Sequence, residues 1–347
     1  MLTSPPTYPL SQEEFRRAVA AGLGRAWIQA MRHDAAPYRA AIVDAATHCR
    51  IYDPQCEGLR GAWLADLCQS AGVVEEVLAA PAPDDSRDEE QRRDLLREFD
   101  RRGVSGIRVA QPSEDDDDEE EDAVGEPRAL PVRESVEQVL RSIRSSTSPR
   151  YGLGFWGRKA GPEELDQVLS ALAVATEPRA LENALRCLAG SQSPPTNERV
   201  FELTAHRDEG VRRFAGLTLG RIRSEKVRTF ARSWIESGEL SLGVRILRRS
   251  AQPADRALLT EQLVPLADPE AQHDLVFGLI DLLESSPDLS STELALYCYD
   301  RSPCGNCRRS AVRLLDRWSE RPDWVTEELA YDVLAADDEE TAASTPP

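Results

Sequence analysis

The chain is poor in several residue types, and each shortage excludes a class of protein. Aromatic residues make up only 6% of its 347 residues, whereas hydrophobic residues as a whole make up 41%. A core of leucine, valine and alanine suits packed helices better than sheets. No run approaches the roughly 18 consecutive apolar residues that a membrane-spanning helix requires, so we expect no membrane segment.

Positive charge is also scarce. The chain has 61 acidic and 42 basic residues, which gives a net charge of -19. A protein that binds a nucleic-acid duplex usually presents a basic face to phosphates, so this balance argues against nucleic acid unless a local patch overrides it. Lys159 and Lys226 are the only lysines. Arginine therefore carries nearly all the positive charge, which favours bidentate ion pairs.

The N-terminal segment and the cysteines indicate a cellular compartment. Residues 1–10 contain no basic residue and no apolar run, so they lack the pattern of a secretory signal. The seven cysteines are an odd number, and five of them are dispersed through helical patterns as small apolar residues would be. We therefore expect a cytoplasmic protein.

Helical periodicity recurs along most of the chain. In the helix predicted to begin at Pro162, the apolar residues Leu165, Val168 and Leu172 recur at spacings of three and four. Short predicted helices, separated by brief loops that contain proline, continue to Leu334. No window alternates long enough to predict a strand, so the expected fold class is all-α.

A composition shift divides the chain. We predict an N-terminal helical unit in residues 1–102, an acidic linker in residues 103–130, a repeat unit in residues 131–335 and a frayed tail in residues 336–347. The linker holds nine consecutive acids, Glu114–Asp122. Such a block repels itself and buries nothing. It is interpreted either as a solubilising loop or as a tethered competitor that folds back on a basic surface.

The clearest repeat-like segment is residues 208–222, Asp-Glu-Gly-Val-Arg-Arg-Phe-Ala-Gly-Leu-Thr-Leu-Gly-Arg-Ile. Its aspartate, Asp208, is placed to cap a helix. Val211 and Ala215 then fall on one apolar face. Gly220 allows a neighbouring helix to approach closely.

The order of aspartate, Val-Arg, alanine and Leu-Gly in this segment resembles the HEAT repeat. Blocks such as Trp156-Gly-Arg158 are similar to motifs of bacterial HEAT-like proteins. The resemblance implies a HEAT-like α-solenoid of stacked antiparallel helical hairpins, and it brings no activity with it. It also implies that Arg212 and Arg228 pair with an aspartate of a neighbouring repeat.

Cys304-Gly-Asn-Cys307 is the sharpest local motif. A Cys-x-x-Cys pair at a helix N-terminus can be redox-active, can supply half of a zinc site, or can be structural. Cys298 is the only further thiol nearby, and the chain contains no second Cys-x-x-Cys. The structural interpretation is favoured.

Other signals of catalysis are weak. The histidines are far apart in sequence and are interpreted as surface or cap residues: His33, His48, His206 and His273. The glycines of Gly152-Leu-Gly154 do not follow a strand, so they are interpreted as a turn that lets Trp156 enter the core. We therefore expect no enzymatic activity and no cofactor.

Residues 207–256 form a basic window with twelve basic and six acidic residues. Its arginines either pair within the chain on solvated helix faces or line a groove for acidic ligands. The candidate groove residues are Arg212, Arg213, Arg221, Arg228, Arg232 and Arg245. We expect a protein partner, with an acidic segment as the candidate ligand, and rank nucleic acid lower.

The expected function is a non-catalytic scaffold or adaptor that binds a protein partner through the solenoid surface. The alternative is an enzyme on a helical-repeat scaffold, either a thiol-redox protein that uses Cys304 and Cys307 or a nucleic-acid-processing protein.

Overall fold

The computed structural model describes a chain that is helical wherever it has regular structure. The described residues are 10–12, 15–16, 19, 26, 28, 30, 33–48, 57–80, 86–104, 134–145, 152–266, 268–302 and 304–329. Within these ranges there is no β-strand, and the predicted all-α class is confirmed. None of the helices in this part of the chain has the length and apolar character that crossing a bilayer requires.

The helices are short, and most of the loops between them are brief. The first eight with described bounds are α1 (Arg39–His48), α2 (Glu57–Ser70), α3 (Val74–Ala79), α4 (Ser86–Arg101), α5 (Val136–Ser145), α6 (Gly152–Lys159), α7 (Pro162–Val174) and α8 (Pro178–Gly190). The others are α9 (Glu198–Leu203), α10 (Glu209–Leu219), α11 (Glu225–Glu236), α12 (Leu240–Leu247), α13 (Asp255–Gln262), α14 (Pro269–Ser285), α15 (Thr292–Arg301), α16 (Gly305–Arg317) and α17 (Asp323–Leu329).

The chain divides into two compact units. The first comprises Met1–Asp118, Val264–Ile280 and Ser291–Pro347. The second comprises Glu119–Leu263 and Asp281–Ser290. Helix α14 contributes residues to both.

The predicted boundaries of the linker and the tail are not settled by this division. Residues 105–130 of the acidic linker and residues 336–347 of the tail lie outside the described residues. The division of the chain at these segments stays a prediction.

A core cluster of the first unit is built from small and aliphatic side chains around a few aromatic rings. Phe15 and Tyr38 stack with their ring centroids 4.0 Å apart. Leu67 of α2 and Leu95 and Phe99 of α4 are fully buried in the same cluster. Burial of a side chain of this size contributes about 1.5–3 kcal/mol, so these helices are held mainly by apolar packing.

In the second unit, the N-terminal boundary of α10 agrees with the sequence. The Asp208 carboxylate accepts a hydrogen bond from the Val211 backbone N–H at 3.0 Å, which is the predicted cap. Val211 and Ala215 are fully buried. Ile222 is only partly buried because it lies beyond the end of the helix.

Glycines set the separation between helices of this unit. A Cβ atom built on Gly157 of α6 would lie 1.9 Å from the carbonyl oxygen of Cys187 on α8. A Cβ atom on Gly220, just after α10, would lie 2.2 Å from the carbonyl oxygen of Arg245 on α12. Only a hydrogen atom fits at these crossings, so the backbones approach closely, as predicted for Gly220.

The predicted turn around Gly152 is wrong, since residues 152–159 form α6. The expected burial of Trp156 is confirmed. Its indole Nε1–H donates to the backbone carbonyl of Glu134 at 2.9 Å. The glycines of this segment therefore serve helix packing rather than a turn, as Gly157 shows.

Replacement of Gly157 by alanine should destabilise the second unit. The new methyl group would overlap a backbone carbonyl that side-chain rotation cannot move, so we expect a loss of about 1–3 kcal/mol in the free energy of unfolding. Urea denaturation followed by circular dichroism measures this loss. The matched control is Gly152→Ala, because no atom of a described residue lies within 4 Å of its Cβ position. Equal stability of the two variants would contradict the packing described here.

Candidate functional sites: an arginine cluster and a cysteine–histidine cluster

Two of the predicted groove arginines bind a buried aspartate. The Arg228 Nε and NH2 groups each donate to the Asp255 carboxylate at 2.9 Å. Arg232 NH1 donates to the same carboxylate at 2.6 Å. The side chain of Asp255 is fully buried, and that of Arg228 is 13% exposed. These two arginines therefore attach α11 to the start of α13, as the intramolecular ion-pair interpretation expects.

The charge of Asp255 depends on these donors. Burial alone would raise its pKa, but the Arg228 side chain, the Gln252 backbone N–H and the Arg232 side chain donate hydrogen bonds to the carboxylate. Together they hold the pKa of Asp255 below its ordinary value. Arg228 of α11 thus pairs with an aspartate at the start of α13, the second helix further along the chain.

The remaining candidates lie on different parts of the second unit. Arg212 and Arg213 are exposed in the first turn of α10, whereas Arg221 follows its last turn. Eleven helical residues span about 16 Å, so these arginines are at opposite ends of the helix. Arg245 is half-buried on α12 and attracts the carboxylate of Asp281. The six predicted residues therefore do not form one surface.

Arg221 instead belongs to a group that includes arginines not singled out from the sequence. We call Arg158, Arg221, Arg248 and Arg249 the arginine cluster. Burial lowers the pKa of Arg221, and repulsion from Arg248, Arg249 and Arg158 lowers it further. Attraction to Asp281 opposes this shift only in part. The other three guanidinium groups are therefore close enough to Arg221 to destabilise its charge.

Helix packing brings the cluster together. Gly216 of α10 lies against the Leu242 side chain near the start of α12, and Gly220 lies against the carbonyl of Arg245 further along it. The two helices therefore run in the same direction, and Arg221 lies beside the residues that follow α12. Their helix dipoles present partial negative charge at these ends, which favours cations there.

Partners within the chain differ among the four arginines. Arg248 NH2 lies 2.6 Å from the Asp281 carboxylate, and its Nε donates to the Ser285 hydroxyl at 3.0 Å. Arg249 NH1 donates to the Gln192 backbone carbonyl at 2.6 Å. Arg221 is half-buried, and its side chain makes no hydrogen bond or ion pair with any residue that the structure describes.

An exposed aromatic ring borders the arginine cluster. The Phe155 side chain is 67% exposed, and the Arg158 guanidinium carbon lies 5.4 Å from its ring centroid. An arginine at this distance from a ring makes a cation–π contact. The surface therefore offers an unpaired cation in Arg221 and an apolar face in Phe155.

A second group of functional side chains lies in the first unit. We call His273, Cys304 and Cys307 the cysteine–histidine cluster. One donor atom from each residue lies within 4.8 Å of the other two. Cys304 is fully buried, and Cys307 is 5% exposed. Cys304 is the N-cap residue of α16, so the predicted helix start at this motif is confirmed.

The two thiols titrate as a pair. A hydrogen bond from the Cys307 thiol stabilises the Cys304 thiolate, burial opposes it, and His273 stabilises it further, so the pKa of Cys304 is lowered from its ordinary value. The same hydrogen bond raises the pKa of Cys307 well above its ordinary value. Because of this hydrogen bond, deprotonation of one thiol disfavours deprotonation of the other.

Sequence reasoning missed His273, which was interpreted as a surface or cap residue. It lies on α14, and the stretch of chain between it and Cys304 contains α15. No local spacing links the two residues, so only the packing of α14 could have identified the third member. Cys298 on α15 is fully buried, and it lies outside the group of three donors. Burial raises the pKa of Cys298 above its ordinary value.

Hydrogen bonds fix the segments that carry this cluster. The Ser302 hydroxyl accepts from the Cys304 N–H at 3.1 Å and donates to the Cys304 carbonyl at 3.0 Å. Beside His273, the Gln272 side-chain amide donates to the Tyr297 hydroxyl at 3.4 Å. Tyr297 in turn donates to the Val264 carbonyl at 3.2 Å. These bonds hold the backbone conformation before Cys304 and the orientation of α14 about its own axis.

Comparisons of the chain with family models, with curated proteins and with solved structures found no match. The two clusters are therefore interpreted from their own chemistry.

The Asp255 network predicts a pH-dependent stability. The pKa of Asp255 is lower in the folded state than in the unfolded state. Its ion pairs therefore contribute fully to the free energy of unfolding above about pH 4, and this contribution is lost as the pH falls through the folded-state pKa. Asp255→Asn leaves Arg228 without its carboxylate, so we expect a loss of about 3–5 kcal/mol at pH 7. The difference from the wild type should narrow below about pH 4.

Urea denaturation at several pH values measures both effects. The control is Glu225→Gln, which removes the other carboxylate that pairs with Arg228. Glu225 is 67% exposed, so this change should cost less than about 1 kcal/mol. A difference between Asp255→Asn and the wild type that stays constant down to pH 2 would contradict this assignment of charge.

Proposed function

We propose that the chain is a non-catalytic scaffold with a HEAT-like arrangement of helices, and that its arginine cluster binds an acidic segment of a protein partner. The observation that carries the proposal is the environment of the Arg221 side chain. It is half-buried among three other arginines and has no carboxylate at ion-pair distance among the described residues. A ligand carboxylate would supply the missing counter-charge.

The energetics favour such a ligand. A half-buried guanidinium has lost part of its hydration, and nearby cations raise the cost of its charge. Among the described carboxylates, Asp281 is the one that attracts Arg221 appreciably, and it is already paired with Arg248. A bound carboxylate that accepts hydrogen bonds from Arg221 would relieve the repulsion and form a charge-assisted pair.

A short acidic protein segment fits this surface better than a nucleic acid. The chain carries a net charge of -19, so a long polyanion that extends beyond the cluster would meet repulsion. A peptide that contacts only the cluster lies within about one Debye length of it, roughly 8 Å at physiological salt, and avoids most of that repulsion. An apolar side chain of the same peptide can contact Phe155.

Packing in the second unit supports the HEAT-like part of the proposal. Consecutive helices pack as pairs, as where Gly243 of α12 lies against Ile235 of α11. Alternate helices also pack side by side, since the Thr218 hydroxyl of α10 reaches the Leu185 carbonyl of α8. In a stack of such pairs, the helix ends, and with them the arginine cluster, would lie along one edge of the array.

The test uses a fluorescently labelled glutamate-rich peptide that contains one phenylalanine. Arg221→Gln should weaken its binding by about 10-fold or more, because one charge-assisted hydrogen bond contributes about 1.5–3 kcal/mol. Fluorescence anisotropy measures the Kd. The control is Arg213→Gln, which removes the same charge from an exposed position at the other end of α10 and should change the Kd much less.

A chain that lacks residues 113–123 provides a second form for this titration. This variant has no acidic stretch Glu114–Asp122 that competes with the labelled peptide, so weak binding of the peptide is not hidden. Equal affinities of Arg221→Gln and the wild type in this form would refute the proposal. A labelled DNA oligonucleotide that binds more tightly than the peptide, with a steep salt dependence, would favour the nucleic-acid-processing alternative.

A further inference from the structure

The cysteine–histidine cluster has the spacing of a metal site. Zinc binds thiolate sulfur at about 2.3 Å and imidazole nitrogen at about 2.0–2.1 Å, which places neighbouring ligand atoms about 3.5–4 Å apart in a tetrahedron. The three donor atoms of His273, Cys304 and Cys307 all lie within 4.8 Å of one another. A movement of about 1 Å, which side-chain rotation provides, would bring them to the ion.

The type and burial of the donors select the ion. Two thiolates with one imidazole suit zinc, whereas Mg²⁺ and Ca²⁺ prefer carboxylate, carbonyl and water oxygens. Two thiolates neutralise Zn²⁺, so the loaded site would bury no net charge among Cys304, Cys307 and the residues around them. The three side chains occupy three tetrahedral positions and leave the fourth to a water molecule.

We propose that His273, Cys304 and Cys307 bind one Zn²⁺ ion that joins α14 to the first turn of α16. The two cysteines come from the N-cap and the first turn of α16. The histidine comes from α14, which is separated from α16 in the chain by α15. The ion would link α14 to α16, in addition to the hydrogen bond from Gln272 to Tyr297 that joins α14 to α15.

The burial of the two cysteines argues against thiol–disulfide exchange as their role. Exchange requires a thiolate to attack, or be attacked by, a sulfur of another molecule along an open path. Cys304 is fully buried, and Cys307 is 5% exposed, so a protein disulfide does not reach either sulfur in the folded chain. A metal ion requires only a small opening, and its binding displaces protons from thiol ligands.

The test uses the full-length chain, purified under reducing conditions. Elemental analysis should find about one zinc per chain. After removal of the metal with a chelator, titration against a chromophoric zinc chelator should give one tight site. Substitution with Co²⁺ should give a thiolate-to-cobalt charge-transfer band and the strong visible bands of tetrahedral cobalt.

Variants assign the ligands. Even outer-shell partners contribute about 10- to 100-fold to metal affinity, so His273→Gln or Cys304→Ala should weaken zinc binding by more than about 100-fold. The matched controls are His206→Gln and Cys68→Ala, which alter a histidine and a buried cysteine outside the cluster and should leave the affinity unchanged. His273 is only partly buried, so His273→Gln should keep the fold, and circular dichroism checks this.

Three results would overturn the proposal. The first is a reduced wild-type chain that holds no zinc as purified and binds none on titration. The second is a folded His273→Gln variant with wild-type zinc affinity. The third is a Cys304–Cys307 disulfide that forms and is reduced reversibly in a chain that never takes up zinc.

Discussion

The second unit depends on the close approach of helix backbones at glycine. Gly157 and Gly220 each lie against a backbone carbonyl of another helix, at distances that admit no side chain. Such contacts fix where one helix crosses its neighbour, and therefore which residues meet at the helix ends. Arg221 lies beside Arg248 and Arg249 because the end of α10 at Gly220 packs against the last turn of α12.

Within this frame, the partner of each arginine decides its role. Arg228 and Arg232 bind the buried carboxylate of Asp255 and act as structural links between helices. Arg221 has the same side chain and a similar depth of burial, but its neighbours are other arginines. The first arrangement stabilises the fold, and the second leaves a cation for a ligand. In the proposed function, the overall negative charge of the chain would make the second arrangement selective for short acidic ligands.

The sequence predicted local structure well. Apolar spacing predicted the all-α class and α7, and the cap at Asp208 and the packing role of Gly220 were also predicted. These features depend on residues a few positions apart, or on the intrinsic properties of one residue. The glycines around Trp156 were misread as a turn, because glycine is rare inside helices unless packing requires it.

The sites themselves depend on tertiary contacts that no spacing encodes. Counting charge along residues 207–256 grouped Arg228 with Arg221, although one binds Asp255 and the other belongs to the arginine cluster. Arg158 lies far upstream of that window, on α6, and could not be included. His273 was missed for the same reason, since an entire helix separates it from Cys304 in the chain.

The most direct test of this account is the effect of Gly220→Ala on the affinity for an acidic peptide. The substitution changes no charge, but its methyl group would force α10 and α12 apart beneath Arg221. In a variant that keeps its helical content, we predict that the affinity falls toward that of a chain without the Arg221 charge. An unchanged affinity in such a folded variant would contradict the claim that this helix contact builds the ligand surface.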